Sequence, residues 1–95
     1  MNILLPNYFA ETFKEYLEAW QGTQKELAET IGILPSHISE MKKGKRRCTP
    51  EYDLRISRLF GIKPGYFMAL QTEHDMELAK EINGKKIASE IKPLV

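Results

Sequence analysis

Apolar residues recur along this chain at helical spacing in successive stretches, separated by short polar segments that carry glycine or proline. Phe9, Phe13, Leu17 and Trp20 fall at i, i+4, i+8 and i+11, which predicts a first helix from near Asn7 to about Trp20 with an aromatic inner stripe. Thr23-Gln-Lys-Glu26 has the S/T-x-x-E pattern that satisfies two orphan backbone donors at a helix start. Leu27, Ala28 and Ile31 then form the inner stripe of a short second helix, which Gly32 can end in the left-handed conformation. Pro35 suits the first turn of a third helix, in which Ile38 and Met41 face inward. Thr49-Pro50-Glu51 announces a fourth with a hydroxyl cap, a first-turn proline and a carboxylate near the positive helix end. Its inner line is Tyr52, Ile56 and Leu59, and Gly61 closes it. Pro64 opens a fifth helix, expected to run to about Ile82 before Asn83-Gly84 stops it, with Phe67, Leu70, Leu78 and Ile82 along one face. Residues 85–95 place Ile87, Ile91 and Leu94 at helical spacing, with Pro93 fraying the end. No strand alternation, internal repeat or low-complexity stretch occurs. The expected fold class is all-α: five helices plus a short C-terminal helical tail.

Residues 23–44 read as a helix-turn-helix, two short helices joined by a tight turn at glycine. The third helix turns Ser36, His37, Glu40 and Lys43 outward, and Lys42, Lys43, Lys45, Arg46 and Arg47 follow at its end. A polar helix face followed by cations suits the DNA major groove and its phosphate walls. The net charge of +1 says nothing about nucleic acid by itself. Its distribution does: residues 1–34 carry −3, residues 35–63 carry +5 and residues 64–95 carry −1. Ser36, His37, Glu40 and Lys43 are therefore the candidate base contacts, with Glu40 able to accept from a cytosine amino group. Gln24, Lys42, Lys45, Arg46 and Arg47 are the candidate phosphate contacts.

Gln24-x-x-Leu27-Ala28, Gly32, Ile38-Ser39 and Gly44-Lys45 carry the pattern of lambda-repressor-like (XRE, Cro/cI-type) domains. With Thr49-Pro50-Glu51, Arg55-Ile56, Gly61, Pro64, Leu70-Gln71 and Asp75, the chain resembles the HigA antitoxins over roughly residues 6 to 80. It departs from that pattern at several positions. Lys63 stands where a helix-capping Ser is usual, Asp53 where Ala is buried, Gly65 where Glu is common and Phe67 where Trp is customary. Leu34 replaces a capping Ser or Thr, and Glu40 and Lys43 stand where Arg and Asn are frequent. The element pattern gives a helix-turn-helix domain over residues 1–82 and a tail over 83–95, and the resemblance implies a lambda-repressor-like fold and an antitoxin that represses its own toxin–antitoxin operon. It also implies a HigB-type ribonuclease toxin as partner. Two rivals are a stand-alone phage or plasmid repressor, and a protein-only inhibitor that binds no DNA. A neighbouring gene for a small basic ribonuclease separates the antitoxin from the first rival, and operator binding excludes the second.

Operator DNA of two half-sites calls for a homodimer, and Leu78, Ile82, Ile87 and Ile91 are the candidate dimer or partner surface. The remaining chemistry is sparse. Cys48 is the single cysteine, so no internal disulfide forms, and it reads as a structurally neutral residue beside the fourth helix. His37-x-x-Glu40 and His74-x-x-Glu77 each place an imidazole one turn from a carboxylate but lack the further ligands of a metal centre. His74 is expected to be packed or interfacial. Neither nucleophile nor phosphate-loop motifs occur, so no enzyme activity, cofactor or metal is expected. The opening MNILLP is too short for a signal peptide, and no apolar run approaches the ~20 residues that span a bilayer. A cytoplasmic location without membrane contact follows as the expectation.

Overall fold

A computed structural model describes residues 6–95, so the reading of the MNILLP start falls largely outside the described residues. Five helices follow in order: α1 (Tyr8–Ala19), α2 (Gln24–Ile31), α3 (Pro35–Lys42), α4 (Pro50–Phe60) and α5 (Tyr66–Glu90). Local signals place most of their ends. Asn7 caps α1 by accepting from the Ala10 amide at 3.0 Å. Thr23 and Glu26 form the reciprocal capping box of α2, and Thr49 caps α4 by accepting from the Tyr52 amide at 3.2 Å. Trp20 is the C-cap of α1, one residue beyond its last helical turn.

The core is aromatic at its centre. Phe9, Phe13 and Phe67 are fully buried, with Phe9 and Phe13 stacked at 5.6 Å and Phe67 edge-on to both. Leu27, Ile38, Met41 and Ile56 seal it from α2, α3 and α4. Cys48 belongs to this core at 3% exposure, so it is a packing residue and not the neutral neighbour of α4 that the sequence suggested. Burial, reinforced by the Asp53 charge, pushes its thiol up to about 12 from an ordinary 9.0. The thiolate is the reactive form, so at pH 8 the native protein is expected to react with iodoacetamide on the order of 10³ more slowly than the urea-unfolded chain. Equal rates would place the thiol at the surface.

The start of α5 differs from expectation. Pro64 lies in a turn, the helix begins at Tyr66, and Gly65 at the N-cap position has no side chain with which to cap it. The cap comes instead from α4. Asp53, 1% exposed, accepts from the Gly65 amide at 2.7 Å, the Met68 amide at 3.0 Å and the Ser57 hydroxyl at 3.3 Å. A buried carboxylate thus ties α4 to the positive end of α5.

The end of α5 differs too. Asn83-Gly84 does not stop the helix, which runs on for 25 residues, about 37 Å at 1.5 Å per residue. Gly84 has no positive φ, and glycine inside a helix costs only about 1 kcal/mol relative to alanine. The separate C-terminal helix is therefore the last part of α5, and the chain leaves helix at Ile91. Continuity changes the phase of the apolar residues. Leu78 and Ile82 lie about 40° apart, but Ile87 falls about 140° round the axis from Ile82, with Ile91 beside Ile87. The four residues consequently form two pairs on different sides instead of one line. Leu78 is half-buried, whereas Ile82, Ile87 and Ile91 are exposed. No described helix is long and apolar enough to cross a membrane.

Candidate nucleic-acid interface

The outer face of α3 is set by what lies beneath it. Gly32 takes φ +70° and ψ +33°, where its amide and that of Ile33 both return to the Ala28 carbonyl, at 2.9 and 3.2 Å. A side chain there would be strained, and a Cβ would lie 2.6 Å from the Arg55 guanidinium, which itself donates to the Ile31 carbonyl at 3.0 Å. Leu34 supplies no side-chain cap to α3, but Pro35 occupies its first turn. Ile38 and Met41, both fully buried, then fix the rotation of α3 against α1 and α2. Ser36 and Lys43 are left exposed, as expected. Gly44 at φ +76° turns the chain away, and Lys45 closes the helix by donating to the Glu40 carbonyl at 2.8 Å.

Two of the four base-facing candidates are held by other side chains. His37 Nδ1 lies 2.6 Å from the Tyr52 hydroxyl of α4, and the residue is half-buried. Glu40 accepts from Arg46 Nε at 3.1 Å. The cations divide in the same way. Arg47 pairs with Asp75 of α5 at 2.6 Å, and its guanidinium holds the Asp75 carboxyl below the ordinary carboxylate range. Gln71, buried on the same turn, donates to Asp75 at 3.1 Å and accepts from the Cys48 amide at 3.3 Å. Arg46 and Arg47 are thus engaged within the protein, whereas Lys42, Lys43 and Lys45 form no ion pair among the described residues. The sequence grouped all five cations because their carboxylate partners Glu40 and Asp75 lie 6 and 28 residues away.

Gln24 and Lys42 line one cleft of about 140 Å³ beside the start of α2. Lys14 of α1 lines the same cleft, with Trp20. Lys14 carries no signal in the sequence and Tyr52 reads there only as part of the inner line of α4, since each reaches this surface only through packing between helices. The two histidine–carboxylate pairs are otherwise engaged. Glu77 accepts from the Tyr8 hydroxyl at 2.7 Å, and His74 Nδ1 lies 2.9 Å from the Pro6 carbonyl, so His74 is a docking residue for the N-terminal segment.

Residues 13–67, more than half of the chain, match the helix-turn-helix family model HTH_3. The chain belongs to this helix-turn-helix family. The family is non-enzymatic, and the five-helix, lambda-repressor-like architecture extends over nearly all of the chain. The Pseudomonas aeruginosa antitoxin HigA, solved with the higBA promoter, matches with a TM-score of 0.87 at 25% identity, covering 96% of this chain and 100% of that one. An addiction module antidote protein of the HigA family from Coxiella burnetii matches with a TM-score of 0.82 at 27% identity, covering 95% and 99%. Virulence-associated protein I of Dichelobacter nodosus is 29% identical over 68 residues, 72% of this chain. The chain spans 63% of that relative's length. The resemblance to HigA antitoxins read from the sequence thus holds for the structure of this helix-turn-helix protein.

Proposed function

We propose that this helix-turn-helix protein is a sequence-specific DNA-binding antitoxin that represses its own operon. The single observation that carries the reading is the outward polar face of α3, locked in rotation by Ile38 and Met41, with Lys42, Lys43 and Lys45 at its end forming no ion pair among the described residues. Ser36, His37 and Glu40 meet base edges in the major groove, Gln24, Lys42 and Lys45 hold phosphates, and Lys43 holds a phosphate while also reaching a base edge. Arg46 and Arg47 reach phosphate only by sharing or exchanging the carboxylates of Glu40 and Asp75. The likeness to P. aeruginosa HigA, a protein solved with its promoter, supports the DNA-binding half of this reading. A HigB-type ribonuclease toxin as partner rests on that likeness alone. Two copies act together, because two half-sites one helical turn apart require a two-fold pair of α3 helices. The extension of α5, with Ile82 on one side and Ile87 and Ile91 on another, is the surface proposed for the second copy or the toxin.

Selection of sites from a random DNA pool, with light scattering on the free protein, tests the proposal. The expected result is a palindromic site with half-sites about 34 Å apart, bound by a dimer. Recovery of no site above background would overturn the repressor reading and favour inhibition of a toxin by protein contact alone.

A further inference from the structure

Building on the DNA-binding reading, we propose that Tyr52 is a specificity-determining positioning residue: its hydroxyl sets the tautomer of His37 so that Nε2–H is presented to the DNA. Tyr52 is rigidly placed. It sits in the first turn of α4, its amide is held by the Thr49 cap, and its ring packs against the core. Its hydroxyl meets His37 Nδ1 at 2.6 Å, with the two rings 5.9 Å apart and tilted by 51°.

A neutral imidazole carries one proton, and the nitrogen that lacks it is an acceptor. A phenol is the better donor of this pair and an unprotonated ring nitrogen the better acceptor, so Tyr52 donates and Nδ1 accepts. The His37 proton then resides on Nε2. That nitrogen has no protein partner among the described residues, yet no buried side-chain polar atom among them is left unsatisfied. Nε2 is therefore not sealed inside the protein, and it is the ring nitrogen left for a ligand.

An Nε2–H donor at a base edge has a definite chemical preference. It pairs with the major-groove acceptors, guanine N7 and O6, adenine N7 and thymine O4, and is repelled by the amino group of cytosine. Were Nδ1–H to donate to Tyr52 instead, Nε2 would be an acceptor and would seek amino groups. One phenol on a helix that itself reads no base thus chooses between two opposite preferences at one position of each half-site.

The test uses Tyr52→Phe, which removes only the hydroxyl and keeps the packed ring. In the free protein, at a pH where His37 is neutral, nitrogen-15 NMR of the imidazole reports the tautomer without reference to DNA. The wild type is expected to show the Nε2–H form and Tyr52→Phe a mixture of both. In site selection, Tyr52→Phe is expected to lose about fivefold of discrimination at one position per half-site, the worth of one hydrogen bond, as does His37→Ala. A wild-type His37 protonated on Nδ1 would overturn the assignment of the donor. Identical selection profiles for wild type, Tyr52→Phe and His37→Ala would overturn the readout role while operator binding stands. A correct tautomer in a protein that selects no site overturns the DNA-binding reading and the readout with it.

Discussion

Replacing Lys42, Lys43 and Lys45 together with alanine is expected to abolish useful operator affinity at ordinary salt and to flatten the salt dependence of what remains. Each cation that neutralises a phosphate releases condensed counterions, contributing roughly 0.9 to the slope of log affinity against log salt. Removing three such cations lowers that slope by about 2.7. If the non-electrostatic part of binding is unchanged, affinity falls on the order of 10²–10³-fold at about 0.1 M salt. Arg46→Ala combined with Arg47→Ala is expected to change the slope less, because both guanidinium groups already face carboxylates. Operator titrations across a salt series for the two variants decide the matter. Equal slopes for the lysine variant and the wild type would make the lysines ordinary solvated surface, and a larger change for the arginine variant would reverse the assignment of roles.

The second large effect lies away from the DNA face. Asp53→Ala is expected to destabilise the protein by about 3–5 kcal/mol in urea unfolding. The change strips a buried acceptor from two backbone amides and one hydroxyl, and hydrogen bonds to a charged group contribute about 1.5–3 kcal/mol each. Against a total of about 5–15 kcal/mol for a domain, that is a major fraction. Adding Lys63→Ser is expected to restore about 1 kcal/mol, since a serine two residues before Gly65 can accept from the Gly65 amide in a local turn. A loss below 1 kcal/mol for Asp53→Ala would mean that water takes over the freed donors. In this chain the cap of α5 is thus supplied from α4 by Asp53 and not by residue 63 of the preceding loop.

The legibility of such features in the sequence follows from how far apart their partners lie along the chain. The Thr23–Glu26 box, the Gly32 turn and the Thr49 cap each close within three or four residues, so local pattern sufficed for them. The buried stripe of α3 was equally plain, because Ile38 and Met41 need only a helical period. Asp53 with Gly65, His37 with Tyr52, and Arg47 with Asp75 join residues 12, 15 and 28 positions apart. Only the docking of whole helices brings those pairs together, and each altered the role of a candidate site residue or cap. Asn83-Gly84 misled in the opposite sense. A dipeptide that commonly ends a helix does so only when its glycine adopts positive φ, and here the helical turns on either side continue through it.

The contact between His37 and Tyr52 has a bearing on how helix-turn-helix proteins of this kind diverge and how they are re-engineered. The third helix does not hold the whole of its own code, because the hydrogen that it offers at one position is assigned by a side chain on the next helix. Grafted alone into another scaffold, the segment from Pro35 to Lys42 would leave its phenol behind and arrive with an ambiguous imidazole. Two chains identical through α3 but different at position 52 would be expected to prefer different operators. Retargeting then becomes possible by a substitution that touches no base, and inheritance of specificity has to be traced through a pair of residues on separate helices.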